Sequence, residues 1–228
     1  MLVKNWDKLP KELQLDEVKP YWTVLRKRNI NLLFKRSFDV VVSGVSLVLL
    51  SPLFLVLAIT IKLDSKGPVF YRQERITQYN RYFKIHKFRS MCNDADKKGT
   101  LVTIKGDNRV TKVGKFIRKC KLDELSQLID VFQGTMSFVG TRPEVRKYVD
   151  AYTPEMMATL LLPAGITSMA SIKYKDENDL LDGASDVDKV YIEQVLPEKM
   201  KYNLQELKKE GLFHDIKVIF QTLFSIFC

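Results

Sequence analysis

The chain has 228 residues, room for one domain of ordinary size plus a membrane element, and its 37 Lys and Arg against 27 Asp and Glu leave a formal net charge of +10. That excess suits polyanions: phosphates, anionic lipid headgroups or nucleic acid. Cys92, Cys120 and Cys228 match no metal-ligand spacing, which excludes a cysteine-built metal module and reads as reduced thiols in a cytosol-facing protein.

Residues 1–30 are polar and charged, with Trp6, Tyr21 and Trp22 among them, and read as an interfacial helix or a loosely ordered extension. From Val40 to Ile61 there are 22 residues without one ionisable side chain. The run is too long for the apolar core of a signal peptide and no small-residue cleavage pattern clearly follows it, so no leader is expected. As one helix it would be about 33 Å long, enough to cross a bilayer core. Ser51-Pro52 interrupts it near the middle: Pro52 has no N–H for the carbonyl of Val48, and its ring forces a bend. Each half is then about 10 residues, too short to span alone. Arg26, Lys27, Arg28, Lys35 and Arg36 precede the run, and Lys62, Lys66, Arg72 and Arg75 follow it. Basic flanks prefer the cytoplasmic side, and here both flanks are basic. A hairpin dipping into one leaflet and a kinked spanning helix both fit these residues.

The middle of the chain is a mixed α and β pattern. Pro68–Gln73 and Tyr82–Phe88 alternate like short strands around a polar turn at Gln78–Arg81. Residues 92–108 are polar and predict a loop with a short helix, and Val113–Arg118 begins a helix. Leu122, Leu125, Leu128, Ile129 and Phe132 fall at helical spacing, with Gly134 as the stop. A turn at Pro163-Ala164-Gly165, an acidic loop over Asp176–Asp188 and a charged helix around Glu198–Glu210 come next. Leu212–Phe227 reads as a helix whose apolar residues cover most of its surface, either packed on the domain or, the reading taken here, lying on the bilayer. No repeat or low-complexity tract is present.

Asp123 and Glu124 stand at the start of a helix just after Arg118, Lys119 and Lys121. The helix dipole alone explains acids at that place, so a functional reading needs other groups to converge on the pair. Lys87 and Arg89 lie on one face of the strand end, and Arg142-Pro143 follows the acidic helix in a Gly-containing turn. Two acids, several bases and a Gly-Pro turn describe a site for a phosphate ester with a divalent metal. A carboxylate can attack phosphorus to form an acyl phosphate, and its neighbour can hold Mg²⁺ against phosphate oxygens. His86 and His214 are assigned no role, His86 because on a strand it faces away from Lys87.

The segments KRSFDVVVSGVSLVLLSPLFLVLAI, GPVFYRQERI, KIHKFRSM, DNRVTKVGKFIRKCKLDELSQLIDVFQGTMSFVGTRPE and PAGITSMASI follow one another in order. This succession resembles the bacterial sugar transferases of the monotopic phosphoglycosyl transferase family, over roughly residues 34–225. The resemblance implies an α+β fold: a small, mostly helical cytosolic domain with short strands, on a re-entrant broken membrane helix and interfacial amphipathic helices. It implies an extension over 1–33, a re-entrant helix over 34–62 broken at Ser51-Pro52, and a catalytic domain over 63–228 facing the cytoplasm from the bacterial inner membrane. Asp123 is then the nucleophile, Glu124 its partner, and both are Mg²⁺ ligands; Lys87, Arg89, Arg118, Arg142 and Pro143 are expected near the phosphates. The implied reaction moves a phosphosugar from a UDP-sugar to polyprenol phosphate, with UMP leaving first. Thr135, Thr141 and Ser168-Met169-Ala170-Ser171 depart from the family pattern, so the donor sugar does not carry over. The partners implied are the donor, the lipid acceptor and the bilayer, with no nucleic acid; the oligomeric state stays open. Rival readings are a metal-dependent lipid phosphatase and a non-enzymatic basic membrane adaptor.

Overall fold

A computed structural model describes residues 2–93, 108–175, 186–209 and 211–227. The loop expected over 92–108 and the acidic loop over 176–188 fall mostly outside these residues. The fold mixes helix and strand, as the alternation of sequence periods predicts.

Two 3-10 turns, Trp6–Lys8 and Lys11–Leu13, lead into α1 (Lys19–Lys27). These residues are not a loose tail. Val3, Leu9, Leu13, Val18, Tyr21 and Leu25 are buried in one cluster with Ile76, Tyr79, Leu160, Leu161 and Leu204. The Tyr79 hydroxyl accepts the N–H of Lys4 at 3.0 Å and donates to the carbonyl of Leu2 at 3.2 Å. The sequence concealed this packing because the buried positions are spread over short turns with no single period.

The apolar run becomes α2 (Asn29–Leu49) and α3 (Ser51–Asp64), which bend by 61° at the break. Pro52 leaves the carbonyl of Val48 without its helical donor, and the hydroxyl of Ser51 takes that place at 2.7 Å. No single helix among the described residues is long and apolar enough to cross a membrane. Both ends of the bent pair are fastened to the same domain. At one end the Lys35 ammonium, fully buried, meets Asp215 at 2.6 Å and the Val139 carbonyl at 2.8 Å, while Asp39 accepts the Ser137 hydroxyl at 2.8 Å. At the other, Asp64 accepts the N–H of Val113 at 3.0 Å, and Leu57 and Ile61 pack on Phe88 and Ile117.

β1 (Phe70–Thr77) and β2 (Arg81–Phe88) form the expected antiparallel hairpin, with Phe70 opposite Phe88 and Thr77 opposite Arg81. Tyr79 and Asn80 turn the chain with positive φ. α4 (Lys112–Lys119), a 3-10 turn over Leu122–Gln127 and α5 (Leu128–Gln133) follow. One helix was expected from Leu122; instead its first six residues are 3-10, and Gly134 at φ +88° ends α5 as predicted. β3 (Met136–Val139) and β4 (Ala164–Thr167) pair in parallel, Met136 opposite Ala164. A turn was expected at Pro163-Ala164-Gly165; it is a strand because small residues let the two backbones close up. A Cβ on Gly165 would lie 2.1 Å from the amide nitrogen of Gly140. Between these strands lie α6 (Arg146–Val149) and the 3-10 segment Met156–Leu161. α7 (Met169–Lys173), α8 (Val187–Val190), a π turn over Tyr191–Val195, α9 (Leu196–Leu207) and α10 (Leu212–Phe227) complete the chain.

The outer faces of α2, α3 and α10 leave large apolar side chains uncovered, Leu63 at 82% and Phe213 at 89% exposure among them. A face of this extent is unusual on a soluble monomer.

Because Leu25 is fully buried in the cluster that joins α1 to the domain, Leu25→Ala should destabilise the protein by about 2–5 kcal/mol in a denaturation series. A loss well under about 1 kcal/mol would mean that the extension is not part of the folded core.

Candidate active site

The site is built on the joint between α4 and α5. The Thr111 hydroxyl caps α4 by accepting the N–H of Gly114 at 3.0 Å. At its far end Lys121 adopts φ +52°, a left-handed conformation that reverses the chain direction. Leu122 can then pack beside Ile117, Phe88 and the α3 residues Phe54, Leu57 and Ile61. Asp123 and Glu124 thereby follow directly on a residue packed against α3.

Glu124 is the hub. Its Oε1 accepts from Lys87 Nζ at 3.0 Å and from Arg142 Nη2 at 2.5 Å, and its Oε2 lies 3.4 Å from Arg142 Nη1. Three chain segments meet here: the end of β2, the 3-10 turn and the turn after β3. Burial alone would raise the Glu124 carboxyl, but Arg142 and Lys87 outweigh it and hold the group well below the usual carboxylate range. Burial pushes the Lys87 ammonium down, against the attraction of Glu124. Burial likewise pushes the Asp123 carboxyl up, the Glu124 charge adds to the rise, and Lys87 and Arg118 oppose it. Two adjacent acids thus differ sharply. Glu124 is held ionised by two cations, whereas the Asp123 carboxylate makes no side-chain hydrogen bond among the described residues.

Of the residues singled out in the sequence, Lys87, Asp123, Glu124 and Arg142 come together, and Arg118 acts on Asp123 through its charge. Arg89 does not join them. It is buried, and its guanidinium donates to the carbonyls of Ile61 (3.3 Å), Ser65 (2.6 Å) and Lys66 (2.7 Å), closing the C-terminal end of α3. It shares the strand face of Lys87, but the backbone that ends β2 carries it to the other helix. Pro143 enters through its carbonyl, which accepts from Arg75 Nη1 at 3.1 Å.

Arg75 was not among the predicted site residues. It is clamped by Gln73 Oε1 at 3.0 and 2.6 Å and lies 3.9 Å from the Glu144 carboxylate. Burial lowers its guanidinium and Glu144 opposes that. Glu144 in turn accepts the Tyr191 hydroxyl at 2.6 Å and lies 4.0 Å from Lys199. This buried network backs the turn that carries Arg142. The period-two spacing of Gln73 and Arg75 within RQER was the signal that could have found it. His214 pairs with Glu206 at 2.5 Å, away from the acid pair in sequence and in partners.

No group of three or more His, Cys, Asp or Glu converges on one point among the described residues. Asp123 and Glu124 are hard oxygen donors, a set that suits Mg²⁺, which takes one or two carboxylates and completes its shell with phosphate oxygens and water.

A family model described as bacterial sugar transferase matches residues 30–228. The chain is 36% identical over 195 residues to the UDP-N-acetylgalactosamine-undecaprenyl-phosphate N-acetylgalactosaminephosphotransferase of Aeromonas hydrophila, covering 84% of this chain and 43% of that protein. It is 36% identical over 202 residues to the UDP-glucose:undecaprenyl-phosphate glucose-1-phosphate transferase of Klebsiella pneumoniae, covering 87% and 41%. It thus spans less than half the length of these two relatives. The exopolysaccharide production protein ExoY of Rhizobium meliloti is 32% identical over 212 residues, with 86% of each chain covered. With the match running from residue 30 to the last residue and the acid pair inside it, the chain belongs to the bacterial sugar transferase family.

Proposed function

We propose that this protein transfers a sugar phosphate from a UDP-sugar to undecaprenyl phosphate and initiates assembly of a surface polysaccharide. The names of the Aeromonas and Klebsiella relatives supply the substrate classes. The observation that carries the mechanism is the division between the two acids: Glu124 is occupied by Lys87 and Arg142, and Asp123 beside it is not. An Asp123 oxygen attacks the sugar-bearing phosphorus of the donor. The bond from that phosphorus to the UMP phosphate oxygen breaks, and UMP leaves with the electron pair. The acyl phosphate is then attacked by a phosphate oxygen of the lipid, which takes the phosphosugar as a diphosphate and returns the Asp123 carboxylate. Lys87 and Arg142 lie where they can balance charge on the phosphate oxygens. Asp123 and Glu124 would hold Mg²⁺, which would supply further neutralisation of the diphosphate.

The same proposal places the bent α2–α3 pair in one leaflet of the bacterial inner membrane, with the domain on the cytoplasmic side. Support comes from both ends of the pair being tied to one domain, through Lys35–Asp215 and through Asp64–Val113. α3 has 14 residues, about 21 Å of helix, short of a bilayer core. The exposed apolar faces, α10 included, would be covered by lipid.

Asp123→Asn should lower UMP release by more than about 10³-fold in detergent with Mg²⁺ and a panel of UDP-sugars; full activity in this variant would remove the covalent route. Activity requires ionised Asp123. Because its carboxyl is raised, the acid limb of the pH–rate profile should fall above the ordinary aspartate value of about 3.9. Because Lys87 is lowered, the basic limb should begin below the ordinary lysine value of about 10.4. Limbs at the ordinary values would place the titrating groups elsewhere.

A further inference from the structure

The segment that carries the acid pair and the strand that carries Lys87 are joined by a second, largely buried set of contacts that the reaction scheme does not use. Asp130, on α5, is 1% exposed. Its Oδ2 accepts the backbone N–H of His86 at 2.8 Å and its Oδ1 lies 2.7 Å from His86 Nδ1. The other ring nitrogen, Nε2, lies 2.6 Å from Nη1 of Arg72. A guanidinium can only donate, so Nε2 must accept, and the single ring proton sits on Nδ1 and is donated to Asp130. His86 is therefore neutral and locked in one tautomer by a carboxylate on one side and a guanidinium on the other.

Ser126 extends the connection to the nucleophile. Its hydroxyl, fully buried, lies 3.0 Å from the carbonyl of His86 and 3.3 Å from that of Asp123. The residue after His86 is Lys87, and the residue after Asp123 is Glu124. The clasp thus grips β2 one residue before the cation and the 3-10 turn one residue before the anion of the Lys87–Glu124 pair. Both gripped groups are backbone, so the contacts set the positions of whole segments, not of single side chains.

We infer that Asp130, acting through His86 and Ser126, is a positioning residue that sets the separation between Lys87 and the nucleophile Asp123. This rests on the transferase reading above. In Asp130→Asn the amide offers one oxygen where the clasp needs two acceptors, and its NH₂ meets an N–H donor. With the two segments no longer in register, kcat should fall about 10- to 100-fold while the KM for the donor changes by no more than about twofold. A fall in kcat at an unchanged donor KM reports the register of the two segments, whereas a merely structural loss would weaken donor binding as well.

The assay is UMP release from UDP-glucose or UDP-N-acetylgalactosamine with undecaprenyl phosphate, on full-length protein in detergent. A wild-type kcat, or a kcat and donor KM that worsen together, overturns the proposal. Should Asp130→Asn fail to fold, Ser126→Ala, which removes one hydroxyl, decides: about a tenfold loss in kcat supports the clasp, and none overturns it. Nitrogen NMR of the imidazoles separates this inference from the transferase reading, since the chain has only two histidines. Protonated Nδ1 and bare Nε2 at His86 support the clasp even if no donor yields UMP, in which case the transferase reading fails alone. The opposite tautomer overturns the clasp whatever the activity.

Discussion

Proline at position 52 cannot donate to the carbonyl of Val48, and most of the architecture depends on that missing hydrogen bond. The Ser51 hydroxyl satisfies the carbonyl without restoring the helix direction, so α2 and α3 diverge by 61°. A straight continuation would carry the end of α3 away from the start of α2. The bend lets both ends meet one domain, where buried Lys35 finds Asp215 and Asp64 finds the first turn of α4. α4 and the left-handed Lys121 then set Leu122, directly before the acid pair, against α3.

Electrostatics makes two adjacent carboxylates unequal. Desolvation raises both, but the cations are distributed unevenly: Lys87 and Arg142 bond to Glu124, while Asp123 feels Lys87 and Arg118 only through space. A carboxylate bonded to two cations is a poor nucleophile and a good fixed charge; one that no side-chain donor reaches is the reverse. Behind the cations stands a second layer of buried polar contacts, Arg75 with Gln73 and Glu144 on one side and Asp130 with His86 on the other. Each buried polar group there is paired, which is the condition for such networks to hold geometry rather than weaken the core.

The extension before residue 30 behaves as part of the domain. Its apolar residues lie against Ile76, Tyr79 and the Met156–Leu161 segment, and Tyr21 donates its hydroxyl to Glu155 at 2.6 Å. The bent helix pair is therefore bounded on both sides in sequence by elements that pack into the same body.

Much was legible in the residues themselves. The β1–β2 hairpin follows from period-two alternation around a polar turn, α4 and the stop at Gly134 from local helix signals, and the break at Ser51-Pro52 from the chemistry of proline. The Asp123-Glu124 pair and the bases Lys87 and Arg142 stood out as residue types. What the chain alone did not reveal were the long-range choices. Lys87 and Arg89 share a strand face, yet Lys87 reaches Glu124 and Arg89 closes the end of α3. Pro163-Ala164-Gly165 carries turn signals, yet Gly165 becomes a strand because Gly140 offers a backbone with no Cβ to meet it. His86 looked like a lone histidine until Asp130, 44 residues later, was brought against it. Local propensity and period are properties of neighbours in sequence and act before the chain folds. Which buried donor meets which acceptor is decided by the segments that tertiary packing brings together, and there the cost of an unpaired polar group selects the partner.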